Sequence, residues 1–238
     1  MMKNRLLMTL TLLAGLALAL AAPAPCAAQA AEEKKPSWKS HEEYQAFQAM
    51  ATEGDAKKKV ALADAFLQKF TDSDFRDLAH LQKMSAFAQL GDTPNAIQAA
   101  RAALELSPNN PDALFYVSWT FPFIFKADDP QAESQLARAE TEAKRGLEAL
   151  QQQQKPAEVS DEQFAQYVKP RRAAFNGTLG FVALQRKDYP RAITYLRASA
   201  EDNPTDVFTF YRLGLSHLYA SPPDYSHAVW NMARSVAL

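Results

Sequence analysis

The stretch Leu90-Gly-Asp-Thr-Pro-Asn-Ala-Ile-Gln-Ala-Ala-Arg-Ala-Ala-Leu-Glu-Leu-Ser-Pro-Asn-Asn110 decides the fold. It is a run of helix formers set between two turn signals, Gly91-Asp92 and Ser107-Pro108-Asn109-Asn110. Units of this kind recur along the chain. Leu179-Gly180 and Leu184 return 34 positions later as Leu213-Gly214 and Leu218, and Ala79 and Leu81 return as Ala113 and Phe115. A period of about 34 residues carried by helical patterns marks stacked helix–turn–helix units. Such stacks hold partners more often than they catalyse reactions.

Outward from this stretch the pattern is helical from about Ser40 onward. Val, Ile and Thr are never concentrated in alternating runs. The clearest apolar stripe is Tyr189, Ala192, Ile193, Leu196 and Ala200, which faces a neighbouring helix. Further turn signals are Gly54-Asp55, Asp202-Asn203-Pro204 and Ser221-Pro222-Pro223-Asp224.

With these residues in view, residues 90–110 resemble the second half of a tetratricopeptide repeat (TPR), whose pattern is W-x2-L-G-x2-Y, then A-x3-F, then a closing Pro. Leu179-Gly180, Ala192-x3-Leu196 and Pro204 form one copy; Phe210-x2-Leu213-Gly214 and Ala228-x3-Met232 form another. Phe87, Ala96, Ala103 and Pro108 mark a third, with Met84 in place of the usual Gly. The glycines let a neighbouring helix approach closely. The resemblance implies an all-α fold, a right-handed superhelix of about five repeats over residues 41–238. The frames are roughly 43–76, 77–110, 111–153, 173–206 and 207–238. The first is degenerate, with Leu62 where Ala is expected, and its ending resembles variant repeats of bacterial envelope TPR proteins. About 28 extra residues separate Ala96 from Ala192. They place an irregular insertion near residues 151–172, with a loop at Gln151–Gln154 and a helix start at Ser160-Asp-Glu-Gln163. The first helix of the third repeat is expected to stop at about Phe121, before Pro122, and Pro170 is expected to kink or interrupt the later long helix.

The chain opens with Lys3 and Arg5, an apolar run from Leu6 to Leu20, and Ala28-Gln29-Ala30. Residues 1–30 therefore read as a cleaved secretory signal, and residues 31–40 as a flexible lead-in. The expected location is the bacterial periplasm or the exterior. Cys26 is the only cysteine, and Pro23-Ala24-Pro25 before it argues against a lipid anchor there. A processed chain has no thiol, which excludes disulfides and thiolate metal sites. It carries 24 basic and 27 acidic residues, a net of −3 with no basic face, so nucleic acid is not an expected partner. No later segment is apolar enough to span a membrane.

No nucleotide-binding or hydrolase motif is present. His41, His80, His217 and His227 have no metal-ligand spacing in sequence, and His217 stands where the repeat carries Tyr, a packing role. No catalytic, cofactor or metal site is assigned, and no enzymatic activity is expected. Residues 113–125 hold six aromatics, more than one helical stripe can bury. The TPR resemblance lines the inner groove with positions 2, 5, 9, 12 and 13 of each first helix. It thereby implies Phe115, Trp119, Phe181, Tyr211, Leu215 and Tyr219 as groove residues for a protein or peptide. The Lys and Asn of a carboxylate clamp are missing from those positions, so recognition is expected to be mainly apolar. Two other arrangements stay open. The insertion folds over these rings as core, or it encloses with them a cavity for an apolar small molecule. The last helix, with Trp230, Met232, Val236 and Leu238, offers an apolar end for self-association.

Overall fold

A computed structural model describes residues 37–238. The expected signal, Cys26 and most of the expected lead-in lie outside the described residues. Within them the fold is all-α, with ten helices and no strand. The helices come in consecutive pairs: α1 (His41–Thr52) with α2 (Ala56–Lys69), α3 (Arg76–Gln89) with α4 (Thr93–Leu106), α5 (Pro111–Ile124) with α6 (Ala132–Gln152), α7 (Asp161–Gln185) with α8 (Tyr189–Asp202), and α9 (Val207–Tyr219) with α10 (Tyr225–Ala237). Each second helix also packs on the first helix of the next pair, and α5, α7 and α9 touch in turn. This is the TPR-like superhelix.

The turns inside the pairs repeat one device. An aspartate N-caps four of the second helices: Asp55, Asp92, Asp188 and Asp224 accept the amides of Lys58, Asn95, Arg191 and His227 at 3.0–3.2 Å. Just before it the chain turns left-handed at Gly91 (φ 72°) and at Lys187 (φ 60°). There the amides of Asp92 and Asp188 reach back to the carbonyls of Phe87 and Ala183, both at 2.9 Å, which closes the preceding helix.

Glycine sets how closely the paired helices approach. A Cβ on Gly180 would stand 2.5 Å from Leu196 and 3.2 Å from its backbone nitrogen; on Gly214 it would stand 2.5 Å from Met232 and 3.1 Å from the Ala228 carbonyl. Leu196 fills the space at the α7–α8 joint and is fully buried. Gly146 does the same between α6 and α7, where the Phe175 ring lies 2.3 Å from where a Cβ would be.

The extra residues lengthen helices. α6 has 21 residues and α7 has 25, against 14 in α4 and α8. Ser160 and Gln163 form the capping box that starts α7. Neither proline interrupts its helix, for physical reasons. α5 continues past Pro122 to Ile124, because the Ser118 carbonyl that Pro122 leaves unpaired accepts the Thr178 hydroxyl at 2.7 Å. α7 continues through Pro170, whose freed carbonyl belongs to Gln166, an exposed residue that water can reach.

Candidate functional site

A cleft of about 370 Å³ opens between α5, α7 and α9. α5 supplies Phe115, Trp119 and Phe123 at i, i+4 and i+8, one face of the helix. Opposite, α9 supplies Phe208 and Arg212. Between them α7 presents Ala173, Ala174 and Gly177, which fill little of the gap. A Cβ on Gly177 would meet only the Ser199 hydroxyl, at 3.3 Å. Small residues here leave space that no neighbouring side chain takes.

The rings differ in exposure. Trp119 and Phe123 are 52% and 54% exposed, and Phe208 is 49% exposed while touching Phe123 edge-on at 5.2 Å. Phe115 is half-buried, because the front of α7 folds against it. Arg171 stacks on Tyr167 at 3.6 Å, covers Phe115 at 5.2 Å and pairs with Asp112 at 2.5 Å. The lengthened α7 thus covers one end of the aromatic row and leaves the other open.

Arg212 is the polar centre of the cleft. Its guanidinium carbon lies 5.2 Å from the Phe181 ring and 5.8 Å from both Phe123 and Phe208. Among the described residues no carboxylate pairs with it. Asp206 also lines the cleft, but its oxygens are committed to the Phe208 amide at 3.0 Å and the Thr209 hydroxyl at 2.6 Å. Burial pulls the Arg212 pKa below the usual arginine value, and Asp206 opposes this. The group stays cationic at neutral pH. Aromatic faces offset part of its lost hydration, and an incoming anion would offset more.

Of the six groove residues expected from sequence, Phe115 and Trp119 line the cleft. Phe181 is 8% exposed and packs edge-on against Phe121 and Phe125, beneath Arg212. Tyr211 and Tyr219 are exposed and Leu215 is half-buried. These three continue along the face of α9 that carries Phe208 and Arg212, with Tyr219 against Tyr189 at 6.0 Å. Sequence reasoning missed Phe123, Phe208 and Arg212. Phe123 was hidden by reading Pro122 as a helix end. Phe208 holds the second position of the last repeat, which the TPR frame itself marks. Arg212 gives no signal beyond its i+4 spacing from Phe208. Along α10, Trp230, Val236 and Leu238 are exposed, while Met232 is half-buried against Gly214.

No family model and no curated protein matches the chain. Solved structures do. The assembly chaperone of RpL4 (Acl4, residues 1–338) aligns at 14% identity with a TM-score of 0.56, over 82% of this chain and 73% of that one. The MamA RS-1 ArsTM double mutant aligns over 82% of this chain and 90% of that one, at 14% identity and a TM-score of 0.45. At such identity the first likeness is one of fold alone, and it agrees with the TPR-like stack of helix pairs.

Proposed function

We propose that this protein is a non-enzymatic scaffold that grips a short segment of another protein in the α5–α7–α9 cleft. The single observation that carries this reading is Arg212, a partly buried cation without a carboxylate partner among the described residues, set between the exposed Phe123 and Phe208 rings above the buried Phe181. The segment it suits carries an aromatic or large aliphatic residue for the Trp119–Phe123 face beside an acidic group for Arg212. The open rings favour a peptide over an enclosed apolar small molecule, because half of each Trp119 and Phe123 surface faces solvent. The secretory reading of residues 1–30 adds a periplasmic or extracellular location. Self-association through α10 is a separate possibility for its exposed Trp230 and Val236, open to test by light scattering.

Magnitudes limit the cleft. Two ring-sized anchors contribute about 2–3 kcal/mol each and a charge-assisted hydrogen bond about 2 kcal/mol. The cost of association takes back at least about 4 kcal/mol, whereas a micromolar complex needs about 8 kcal/mol. The cleft alone therefore binds weakly, and tight binding requires the segment to continue along α9 over Tyr211 and Tyr219. Selection of displayed random peptides against the full chain tests the reading. The expected winners combine an apolar ring with Asp or Glu; Arg212→Gln lowers their affinity about tenfold and Trp119→Ala about thirtyfold or more, with helix content unchanged. Winners indifferent to both substitutions would refute it.

A further inference from the structure

The turn between α9 and α10 brings together three side chains that the sequence scatters. His217 lies near the end of α9, Asp224 N-caps α10, and His227 sits three residues into it. The Asp224 amide donates to the His217 carbonyl at 3.0 Å and fixes the ends of the turn. Asp224 Oδ2 lies 2.6 Å from His227 Nδ1 and 3.6 Å from His217 Nδ1, and one donor atom from each residue lies within 4.8 Å of the others. The two imidazoles stack with centroids 5.0 Å apart.

We propose that His217, Asp224 and His227 form a binding site for a divalent transition-metal ion of the zinc class. Two donors held at about 2.1 Å by one tetrahedral ion stand roughly 3.4 Å apart. The His217–Asp224 separation already fits that spacing. The His227–Asp224 separation must open by about 0.8 Å to reach it, and His227 must also turn out of its stack on His217, for which its exposed side leaves room. The Asp224–His227 contact alone is an ordinary helix cap and assigns nothing. His217 is the telling member. It is 4% exposed, and its Nδ1 faces the Asp224 carboxylate at 3.6 Å, beyond hydrogen-bond reach. Buried ring nitrogens are normally paired, and a metal ion between Nδ1 and the carboxylate would be the partner of both.

Protonation favours the site. Burial holds the His217 pKa below the ordinary histidine value, with Arg197 of α8 and His227 acting in the same direction and Asp224 against them. The His227 amide holds Asp224 below the usual carboxylate range. At neutral pH His217 is therefore unprotonated and Asp224 ionised, as coordination requires. Arg197 carries a repelling charge, as does Arg234 in the adjoining hollow, and Glu201 there offsets part of it. Two imidazoles and one carboxylate select zinc, cobalt, nickel or copper over magnesium and calcium, which take all-oxygen sets. The exposed His227 side leaves the remaining position to water or to a group from a partner. The ion would tie the proline-containing turn to α9 and stiffen the last repeat.

The test uses the untagged full chain, titrated with zinc chloride by calorimetry and thermal melting, with magnesium chloride as control. One zinc per chain, a Tm higher by several degrees and no response to magnesium are expected. Cobalt substitution adds the visible absorption of a four-coordinate ion. His227→Gln alters an exposed side chain, and Asp224→Ser keeps a competent N-cap while removing the carboxylate. Each is expected to weaken zinc binding about tenfold or more and to abolish the cobalt spectrum without loss of helix content. No zinc uptake at about 100 µM, far above the range of a built zinc site, or equal uptake by both variants and the parent, overturns the proposal.

Discussion

Two joints in this molecule use small residues to opposite ends. At the α7–α8 joint Gly180 lets Leu196 press against the helix backbone, and the space is filled. Within the two turns before it on α7, Ala173, Ala174 and Gly177 line the cleft between α5 and α9, and the space beside them stays open. The same helix thus builds a packed seam at one level and lines an open trough at the next. The number of small residues does not separate the two cases. What separates them is whether a neighbouring side chain reaches in.

The sharpest way to break this comparison is to crowd the filled joint. Gly180→Val puts branched carbons where Leu196 and its backbone nitrogen already stand, at a cost of about 2–3 kcal/mol. Thermal melting should then show a Tm lower by roughly 5–10 °C. Ala174→Phe fills the trough instead. It should change Tm by less than about 2 °C, within the range of a surface substitution, yet abolish binding of selected peptides by fluorescence anisotropy. Equal destabilisation by the two changes would erase the distinction between seam and trough.

Electrostatics offers a milder test of how α6 is fixed to this arrangement. Glu140 accepts Lys144, Arg186 and Arg191, and these bonds, Lys144 foremost, hold its pKa down to about 2 from an ordinary 4.5. A depressed carboxylate stabilises the folded chain fully above its unfolded pKa and loses that contribution as pH falls through the folded value. Denaturant titrations between pH 5 and about 2 should show a falling stability whose slope Glu140→Gln reduces. The smallest effect is expected at Lys187, which occupies the left-handed position that Gly91 holds in the second pair. Lys187→Gly should raise stability by about 0.5–1 kcal/mol by removing the Cβ penalty. A loss on that substitution would mean that the turn is not strained.

The seams were legible in the sequence because they repeat. Gly180 and Gly214 sit 34 positions apart, and one period predicts both. The Ser160 capping box was legible because its chemistry is local. The trough was only half legible. Trp119 and Phe115 follow the repeat frame, but Phe123 lies beyond a proline whose missing bond is made good by Thr178, sixty residues away from Ser118. Phe181 fits the frame and yet is buried, because the end of α5 brings Phe121 and Phe125 onto it. Arg212 reads as an ordinary surface residue until three rings from different helices surround it. A site gathered from three helices leaves no complete signature in any one of them.

The most direct test of the trough is the emission of Trp119 itself. The chain has three tryptophans, so replacing Trp38 and Trp230 with Phe leaves Trp119 as the sole reporter. Titrating this variant with a selected acidic–aromatic peptide should give a saturable blue shift as the half-exposed indole is covered, and Arg212→Gln should move the midpoint to about tenfold higher peptide. Binding seen by calorimetry with no change in Trp119 emission would place the partner elsewhere and contradict the account.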